Sequence, residues 1–245
     1  MYGWRGRLGW IGPSTSDTVL LEFYHILPEG ILVTPYDLGV RALVEKEFQG
    51  VMGRFEEAAK ILKDLEVEAI VVGGTPPITK LGFEADKEVI RKVEALTGLP
   101  TSTAPTAEIE AMRFLGMKRI ALVSPYVEEL NRHLKSYLEY CGFEVPVIKG
   151  LGIVKNVDLS KGTPEQTYRM CKEAFMEAKG KIDGVFFQCP RWPTVESIEL
   201  FEKDLGIPMV TTASAIVWKG LSLLKVNQVQ PGYGKLFESF DDECY

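Results

Sequence analysis

Histidine and paired cysteine are scarce in this sequence. Its 245 residues include two histidines, His25 and His133, and four cysteines at positions 141, 171, 189 and 244, no two of which form a Cys-x-x-Cys pair. A structural zinc site needs about four clustered ligands, so no metal site is expected. A disulfide framework is also not expected in a long chain without such pairs. The cysteines leave one question, which is whether any of them is a reactive thiol.

Several other features are absent, and each absence excludes a class of partner. The net charge is -6 and no basic stripe is visible, which argues against a nucleic-acid partner. No apolar run approaches the roughly 18 residues that span a membrane, and residues 1–12 lack the pattern of a signal peptide. We therefore expect no membrane partner and a cytoplasmic location. The sequence has no Walker, GxGxxG or GxSxG motif, so no nucleotide cofactor is indicated and none is expected.

Short apolar runs alternate with amphipathic stretches along the whole chain. This alternation predicts βαβ units and therefore an α/β fold with parallel sheets, whose active sites lie beyond the carboxyl ends of the strands. The predicted strands are Leu8–Gly12, Gly30–Thr34, Ala69–Gly73, Arg119–Ser124, Phe143–Ile148, Gly184–Gln188 and Pro208–Val210. The predicted helices are Leu43–Leu65, Ala85–Thr97, Thr106–Leu115, Val127–Cys141, Pro164–Ala178, Thr194–Leu205 and Ala215–Leu224, with an earlier one beginning near Thr18.

An internal repeat relates the two halves of the chain. VEAIVVGGTPP and LTGLPTSTAPTAEIEAM in the first half correspond to KIDGVFFQCPR and DLGIPMVTTASAIVWKG in the second. Gly74 and Cys189 then occupy matching strand ends, 115 positions apart, and the Gly-x-Pro turns at Gly98 and Gly206 lie 108 positions apart. Any two βαβ units look alike, but the near-constant offset favours duplication. It predicts two similar lobes related by a pseudo-twofold axis, at 1–116 and 117–225, with 226–245 packing back on the first and a cleft between them.

Cys189 is the strongest candidate for chemistry. It ends an apolar strand and precedes Pro190, Arg191 and a predicted helix, so the helix dipole and the guanidinium would favour a thiolate. A buried inert thiol is the commoner fate of a free cysteine and remains the alternative. Cys141 and Cys171 lie inside predicted helices and are interpreted as packing residues, and Cys244 as part of a mobile tail.

Hydroxyl and glycine residues follow other strand ends and are candidates for binding an anion. Gly74 and Thr75 offer close backbone approach, a hydroxyl and an N–H, although a plain glycine turn would have the same sequence. Tyr126 and Thr212 follow two further strands and would face the same cleft. After the first strand, Ser14 and Ser16 could serve a ligand, and a helix N-cap explains them equally well.

These residues resemble a known family. TGLPTSTAPTAEIEAMRFLGMKRIALVSPY, the run at Gly150–Ile153, Cys189 after GVFFQ and the tail PGYGKLF together resemble the arylmalonate decarboxylase and maleate cis-trans isomerase branch of the Asp/Glu racemase superfamily. The stretch GPSTSDTVLLEFYHILPEG is more similar to the maleate isomerases. The resemblance implies two lobes, each with a parallel four-stranded sheet flanked by helices. It also implies one catalytic cysteine per lobe in racemases and isomerases, whereas a decarboxylase has a glycine in place of the first.

Gly74 opposite Cys189 matches the decarboxylase pattern, and the resemblance gives each site residue a role. Cys189 would donate a proton to an enediolate, with Thr75 and Tyr126 as oxyanion donors. Three positions depart from that pattern. Pro76 replaces a hydroxyl residue, Pro190 has no N–H to give, and Asn156 lies where the decarboxylase pocket is apolar.

Three functions therefore stay open at the level of sequence. The first is a cofactor-independent decarboxylase, a carbon–carbon lyase acting on a small carboxylic acid. The second is a maleate-type or racemase-like isomerase with Cys189 as nucleophile. Arg191 and Lys155 favour retention of an anionic group. The third is a protein that binds dicarboxylates without turnover, suggested by the prolines at donor positions. Whether the protein forms a homodimer is also left open.

Overall fold

Two parallel sheets of four strands each form the core of the structure, a computed structural model that describes residues 2–15, 17–41, 52–228 and 230–238. The first sheet has the order β2-β1-β3-β4 and the second the order β6-β5-β7-β8. The identical strand order confirms two similar lobes. The strands are β1 Gly6–Gly12, β2 Ile31–Asp37, β3 Ala69–Val72, β4 Thr101–Thr103, β5 Arg119–Tyr126, β6 Glu144–Ile153, β7 Gly184–Phe187 and β8 Met209–Thr211.

Helices connect these strands and flank both sheets. They are α1 Asp17–Ile26, α2 Met52–Asp64, α3 Thr75–Thr79, α4 Ala85–Thr97, α5 Ala104–Phe114, α6 Glu128–Tyr140, a 3₁₀ helix Asn156–Lys161, α7 Pro164–Ala178, α8 Val195–Leu205, α9 Thr212–Leu223 and α10 Lys235–Glu238. The predicted strands and helices fall within these elements to within a few residues. Part of the predicted helix Leu43–Leu65 lies outside the described residues. Four elements are additions to the prediction, namely the short strand β4, the short helices α3 and α10, and the 3₁₀ helix Asn156–Lys161.

Local sequence explains why the elements near the cleft begin and end where they do. All residues of β3 and β7 are buried, as expected for central strands covered by helices on both faces. Thr163 forms a capping box with Gln166 and precedes Pro164 at the first position of α7, as its sequence predicts.

The internal repeat is visible in register and capping. The last residue of β3, Val72, pairs with Thr103, and the last residue of β7, Phe187, pairs with Thr211. Each threonine then caps the helix that follows, because its side chain accepts a hydrogen bond from the third residue of α5 or α9. The same strand-end and helix-start geometry therefore occurs once in each lobe.

The helices α5 and α9 hold the two lobes together. They pack against each other, and α9 also packs on β3 and β4 of the first sheet. Gly220 of α9 makes the close approach possible, because a Cβ there would lie 2.7 Å from Cδ2 of Leu8. The cleft walls are thus built on helices shared between the lobes.

The described part of the C-terminal tail contacts α8. The backbone N–H of Lys235 donates to Glu202, and a Cβ at Gly234 would meet Ile198 at 2.5 Å. The sequence predicted that residues 226–245 pack on the first lobe, whereas these contacts are with α8 of the second. The Glu202 carboxylate holds the turn there by accepting the N–H of Lys235. Residues 239–245 lie outside the described residues, and the lobe boundary at 116 stays a prediction. Among the described helices, none has the length and apolar character needed to cross a membrane.

Candidate active site

A cavity lies beyond the carboxyl ends of β1, β3, β5 and β7, where the two lobes meet. The space open to the centre of a water-sized molecule is about 50 Å³, room for only a few waters or one small organic molecule. Every predicted site residue within the described part of the chain lines it, namely Ser14, Gly74, Thr75, Tyr126, Asn156, Cys189, Pro190 and Thr212. Ser16 lies outside the described residues. Much of the remaining lining is apolar, including Trp10, Val19, Val40 and Leu159.

Cys189 follows β7 by two residues, and its thiol is buried at the cavity wall with 1% of the residue exposed. Its sulfur receives hydrogen bonds from the Tyr126 hydroxyl and from the N–H groups of Arg191 and Trp192. The latter two replace the N–H that Pro190 lacks. Burial nevertheless dominates and raises the pKa of the thiol above its usual value. Loss of solvation thus outweighs the favourable dipoles, which opposes the expected thiolate and favours a neutral thiol.

The first-lobe wall opposite is a glycine turn that leaves no room for a side chain. Gly74 has φ of 100°, in the left-handed region. A Cβ at this position would lie 2.7 Å from Cγ of Pro77 and 3.3 Å from Pro13. Pro76 and Pro77 form the beginning of α3 and have no N–H to offer. This wall therefore has no second thiol. It limits the width of the cavity and presents the Thr75 side chain to it.

A buried carboxyl group lies behind the cavity wall, and the sequence analysis did not identify it. Glu108 of α5 is 1% exposed and accepts hydrogen bonds from hydroxyls of both lobes. Thr75 Oγ1 lies 2.9 Å from both carboxyl oxygens, and Thr212 Oγ1 lies 2.6 Å from Oε1. The side-chain nitrogen of Gln188 is 3.5 Å from the same oxygen. Glu108 thus connects the residue before Cys189 with a hydroxyl on each wall.

Burial controls the protonation of Glu108. It raises the pKa of the carboxyl to about 7, and the hydrogen bonds from Thr212, Thr75 and Gln188 offset only part of this rise. A pattern in the sequence could have revealed the residue. The buried positions of α5 include Ala104, Ala107, Ala111 and Met112, spaced as one helical stripe, and Glu108 lies within that stripe. A charged residue on an apolar stripe marks a buried polar site.

A second polar cluster fixes the cavity rim. One Arg191 nitrogen binds both carboxylate oxygens of Asp17, at 2.7 and 2.9 Å, and another donates to the Asn156 carbonyl oxygen at 2.9 Å. The Asn156 amide donates to the carbonyl oxygen of Val40 at 3.1 Å. One of the two N–H groups of the Asn156 amide is thus used within the protein, and the residue also lines the cavity. The Nε of Arg191 is buried and has no partner among the described residues.

The other cysteines and histidines of the described residues lie away from the cavity. Cys171 is buried inside α7 and Cys141 is half-buried at the end of α6, as their helical spacing predicted. His133 contacts the hydroxyl of Thr79 at 3.0 Å and is half-buried on α6. The described residues contain no cluster of metal-binding side chains.

Twin parallel sheets of identical strand order, with one thiol facing a glycine turn across a small cavity, define a two-lobed class of cysteine-containing α/β proteins. The chain belongs to the arylmalonate decarboxylase family, whose model matches residues 8–237. Among curated relatives, arylmalonate decarboxylase of Bordetella bronchiseptica is 25% identical over 232 residues, which cover 94% of this chain and 96% of that protein. Maleate isomerase of Pseudomonas putida is 24% identical over 242 residues, with the same coverage of 94% and 96%.

Solved structures share this fold. The maleate isomerase Iso from Pseudomonas putida S16 superposes with a TM-score of 0.90 at 22% identity, covering 98% of this chain and 99% of that one. A crystal structure of arylmalonate decarboxylase has a TM-score of 0.82 at 24% identity, covering 95% and 100%. The resemblance drawn from the sequence is confirmed. At these identities the relatives include both decarboxylases and isomerases, so the reaction must be argued from the site.

Proposed function

We propose that this protein is a cofactor-independent decarboxylase of a small malonate-type acid, in which Cys189 protonates an enediolate intermediate. The observation that carries the proposal is a single thiol facing a glycine turn, because Cys189 and Gly74 line the same cavity and Gly74 leaves no room for a second thiol. A proton donor must hold its proton near pH 7, and burial raises the pKa of Cys189 above its usual value. The relatives named as arylmalonate decarboxylases support the same chemistry.

The reaction balances without a cofactor. The bond between the α-carbon and one carboxylate breaks, carbon dioxide leaves, and the electron pair forms an enediolate with the remaining carboxylate. The thiol proton of Cys189 then moves to the α-carbon and leaves a thiolate. The Tyr126 hydroxyl and the N–H groups of Arg191 and Trp192 stabilise this thiolate, and a proton from water restores the thiol. The negative charges of the enediolate and of the thiolate are each stabilised by hydrogen-bond donors of this chain.

The cavity lining supports loss of one carboxylate and retention of the other. Apolar side chains such as Val40 and Leu159 destabilise a carboxylate placed against them, which favours its departure as neutral carbon dioxide. The hydroxyls of Ser14 and Thr75 are donors for the carboxylate that stays. Asn156 adds one polar side chain to this lining, and one of its two amide N–H groups is bound to Val40.

Replacement of Cys189 tests the proposal. Carbon dioxide release is measured on a series of malonic acids from methylmalonate to arylmalonates, for wild type, Cys189→Ala and Cys189→Ser. We expect Cys189→Ala to lose at least 100-fold in kcat and Cys189→Ser to lose most of it, since removal of one essential group commonly costs about 10²–10⁴-fold. Cys141→Ala is the matched control, because that thiol lies outside the cavity. Equal activity of Cys189→Ala and wild type rules out the proposed mechanism.

Cis-trans isomerisation of a small diacid is the second candidate. Several relatives are named as maleate isomerases, and one solved structure is of a Nocardia farcinica isomerase mutant with a covalently bound succinylcysteine intermediate. The small cavity suits a diacid of this size. The raised pKa of Cys189 opposes it, since addition to a double bond needs a thiolate. Incubation with maleate distinguishes the two, because isomerisation gives fumarate and a mass increase on the Cys189 peptide.

Binding without turnover is the third candidate, favoured by the prolines at positions 76 and 190. Calorimetry with dicarboxylates that shows tight binding and no product formation would support it. We further propose a cytoplasmic location and a small carboxylic acid as the only small-molecule partner. Light scattering at several protein concentrations determines whether the protein is a monomer or a homodimer.

A further inference from the structure

Glu108 restricts what the two threonine hydroxyls of the cavity can do. A hydroxyl has one hydrogen to donate. Thr75 and Thr212 both direct theirs to the Glu108 carboxyl, at 2.9 and 2.6 Å. While the carboxyl is ionised it can only accept, so both hydroxyl hydrogens stay on it and neither reaches a substrate. When it is protonated it needs fewer donors, and the hydroxyls are free to turn to the cavity that they line.

The fold itself does not require a carboxyl at this position. Thr103 and Thr211 are equivalent and lie 108 positions apart, which makes Ile216 of α9 the counterpart of Glu108. Ile216 is fully buried, so the second copy of the same helix packs with an apolar side chain there. A buried carboxyl costs free energy that an aliphatic side chain does not. This asymmetry between the copies points to a functional role.

Gln188 supplies an independent observation. Its Oε1 is buried and has no hydrogen-bond partner among the described residues, while its Nε2 lies at the long distance of 3.5 Å from Glu108. A neutral carboxyl has an O–H to donate, and a rotated Gln188 amide would accept it. Protonation of Glu108 therefore supplies a donor to the Gln188 oxygen, which has none while the carboxyl is ionised.

We propose that Glu108 is a positioning residue that controls the direction of the Thr75 and Thr212 hydroxyls, releasing them to the substrate oxyanion as a neutral acid and withdrawing them as a carboxylate. The inference rests on the proposed function in one respect, which is that an oxyanion forms beside these hydroxyls. Glu108 does not touch the substrate. It acts through two threonines, one on each wall of the cavity.

Three other titratable groups face Glu108 from the elements around it. They are Tyr126 at the end of β5, Tyr137 on α6 and Cys189 after β7. Burial raises the pKa of all three above their usual values, so each stays neutral through the neutral range. The pKa of Glu108 is about 7. Between pH 6 and 8.5, Glu108 is therefore the group of this cluster whose charge changes.

The test compares pH profiles of kcat/KM for wild type, Glu108→Gln and Glu110→Gln. Wild type should decline about tenfold per pH unit above 7, as expected for one ionisation. Glu108→Gln should match the acid plateau of wild type within a few-fold and stay flat to pH 8.5, because its amide cannot ionise. Glu110→Gln is the matched control on the same helix, where Glu110 pairs with Lys219, and should keep the wild-type profile. A decline in Glu108→Gln equal to that of wild type overturns the inference.

Thr212→Val provides a second test that does not depend on folding of the Glu108 variant. The missing hydroxyl should lower kcat/KM about tenfold or more at pH 6, where wild type uses it, and have little effect at pH 8.5, where the carboxylate already holds it. A purely structural role would give the same loss at every pH. A ratio of wild type to Thr212→Val that does not change with pH contradicts the proposal.

Infrared difference spectra separate this inference from the proposed function, because they need no substrate. Wild type minus Glu108→Gln should show a protonated carboxylic acid band at pH 6 that is lost by pH 8. Absence of that band overturns the inference even if Cys189→Ala confirms the decarboxylase. If Cys189→Ala keeps full activity while Glu108→Gln loses the pH dependence, the proposed function fails and control by Glu108 stands.

Discussion

One guanidinium nitrogen of Arg191, in the second lobe, donates to both carboxylate oxygens of Asp17, in the first lobe, at 2.7 and 2.9 Å. Burial opposes ionisation of Asp17, but the N–H of Thr18 and the guanidinium of Arg191 outweigh it and lower the pKa of the carboxyl. The Arg191 side chain is 8% exposed and that of Asp17 is 50% exposed. The pair thus holds a buried cation at the cavity rim with a partner that stays in contact with water.

Asp17→Asn should weaken this contact between the lobes. We expect a loss of about 1 kcal/mol in the free energy of unfolding at pH 7, small because Asp17 is half exposed. The stabilisation exists above the ordinary carboxyl pKa of 3.8 and is lost as pH falls through the lowered value. Urea denaturation at pH 7 and pH 3 measures both effects. Asp158→Asn, which removes an exposed pair with Lys161, is the control and should change little.

Glu108 should make the stability of the fold fall with rising pH. Its native pKa of about 7 lies above the ordinary glutamate value of 4.5, so the folded state holds a proton that the unfolded state releases. The contribution is full below pH 4.5 and is lost as pH rises to about 7, a change of about 3 kcal/mol. The difference in unfolding free energy between wild type and Glu108→Gln, measured from pH 4.5 to 8, isolates it. Glu110→Gln should show no such trend.

Gly74→Ala should be costly for two separate reasons. Its φ of 100° costs a residue with a side chain about 1–3 kcal/mol, and the added Cβ would meet Cγ of Pro77 at 2.7 Å. Gly98→Ala is the comparison, because its φ is 70° and no atom lies within 4 Å of the added Cβ. We expect Gly74→Ala to destabilise more than Gly98→Ala and to lower turnover, as judged by thermal unfolding and kcat. Equal destabilisation would show that the contact with Pro77 relaxes.

Tyr126→Phe should slow proton transfer without removing the thiol. The Tyr126 hydroxyl bonds to the sulfur of Cys189, and burial keeps it protonated by raising its pKa. Loss of this donor should reduce kcat about 10²-fold and slow alkylation of Cys189 by iodoacetamide, because the thiolate is less stable. Tyr140→Phe removes an exposed hydroxyl bonded to Glu84 and serves as the control. Unchanged alkylation and kcat in Tyr126→Phe would exclude this role.

Most of the strands and helices could be predicted because they depend on local sequence patterns. Two local patterns are examples, the continuous apolar run Ala69–Val72 and the Thr163 capping box. Each involves only a few neighbouring residues, so the element that it forms can be predicted from the sequence. The strand β4 escaped individual prediction because its three residues are all polar, and α3 because it contains two consecutive prolines. Both depend on neighbours that only the folded protein supplies.

The sequence predicted which residues line the cavity better than it predicted their pKa values. Strand-end position was enough to nominate most of the cavity residues, because parallel strands deliver their carboxyl ends to one edge, and the family resemblance added Asn156. The protonation of Cys189 could not be derived this way, since it depends on burial by distant segments. The apolar stripe of α5 could have revealed Glu108 as a buried residue, but not the raised pKa of its carboxyl. This stripe is buried by α9 of the other lobe, far away in sequence.

The unequal walls of the cavity bear on the handedness of the product. An enediolate is flat and has two faces that solvent cannot tell apart. Here the sulfur stands on one side, and on the other is a turn whose glycine excludes any side chain. A planar intermediate held between them can be approached by hydrogen from one direction alone, so a substrate with two different substituents should yield a single enantiomer.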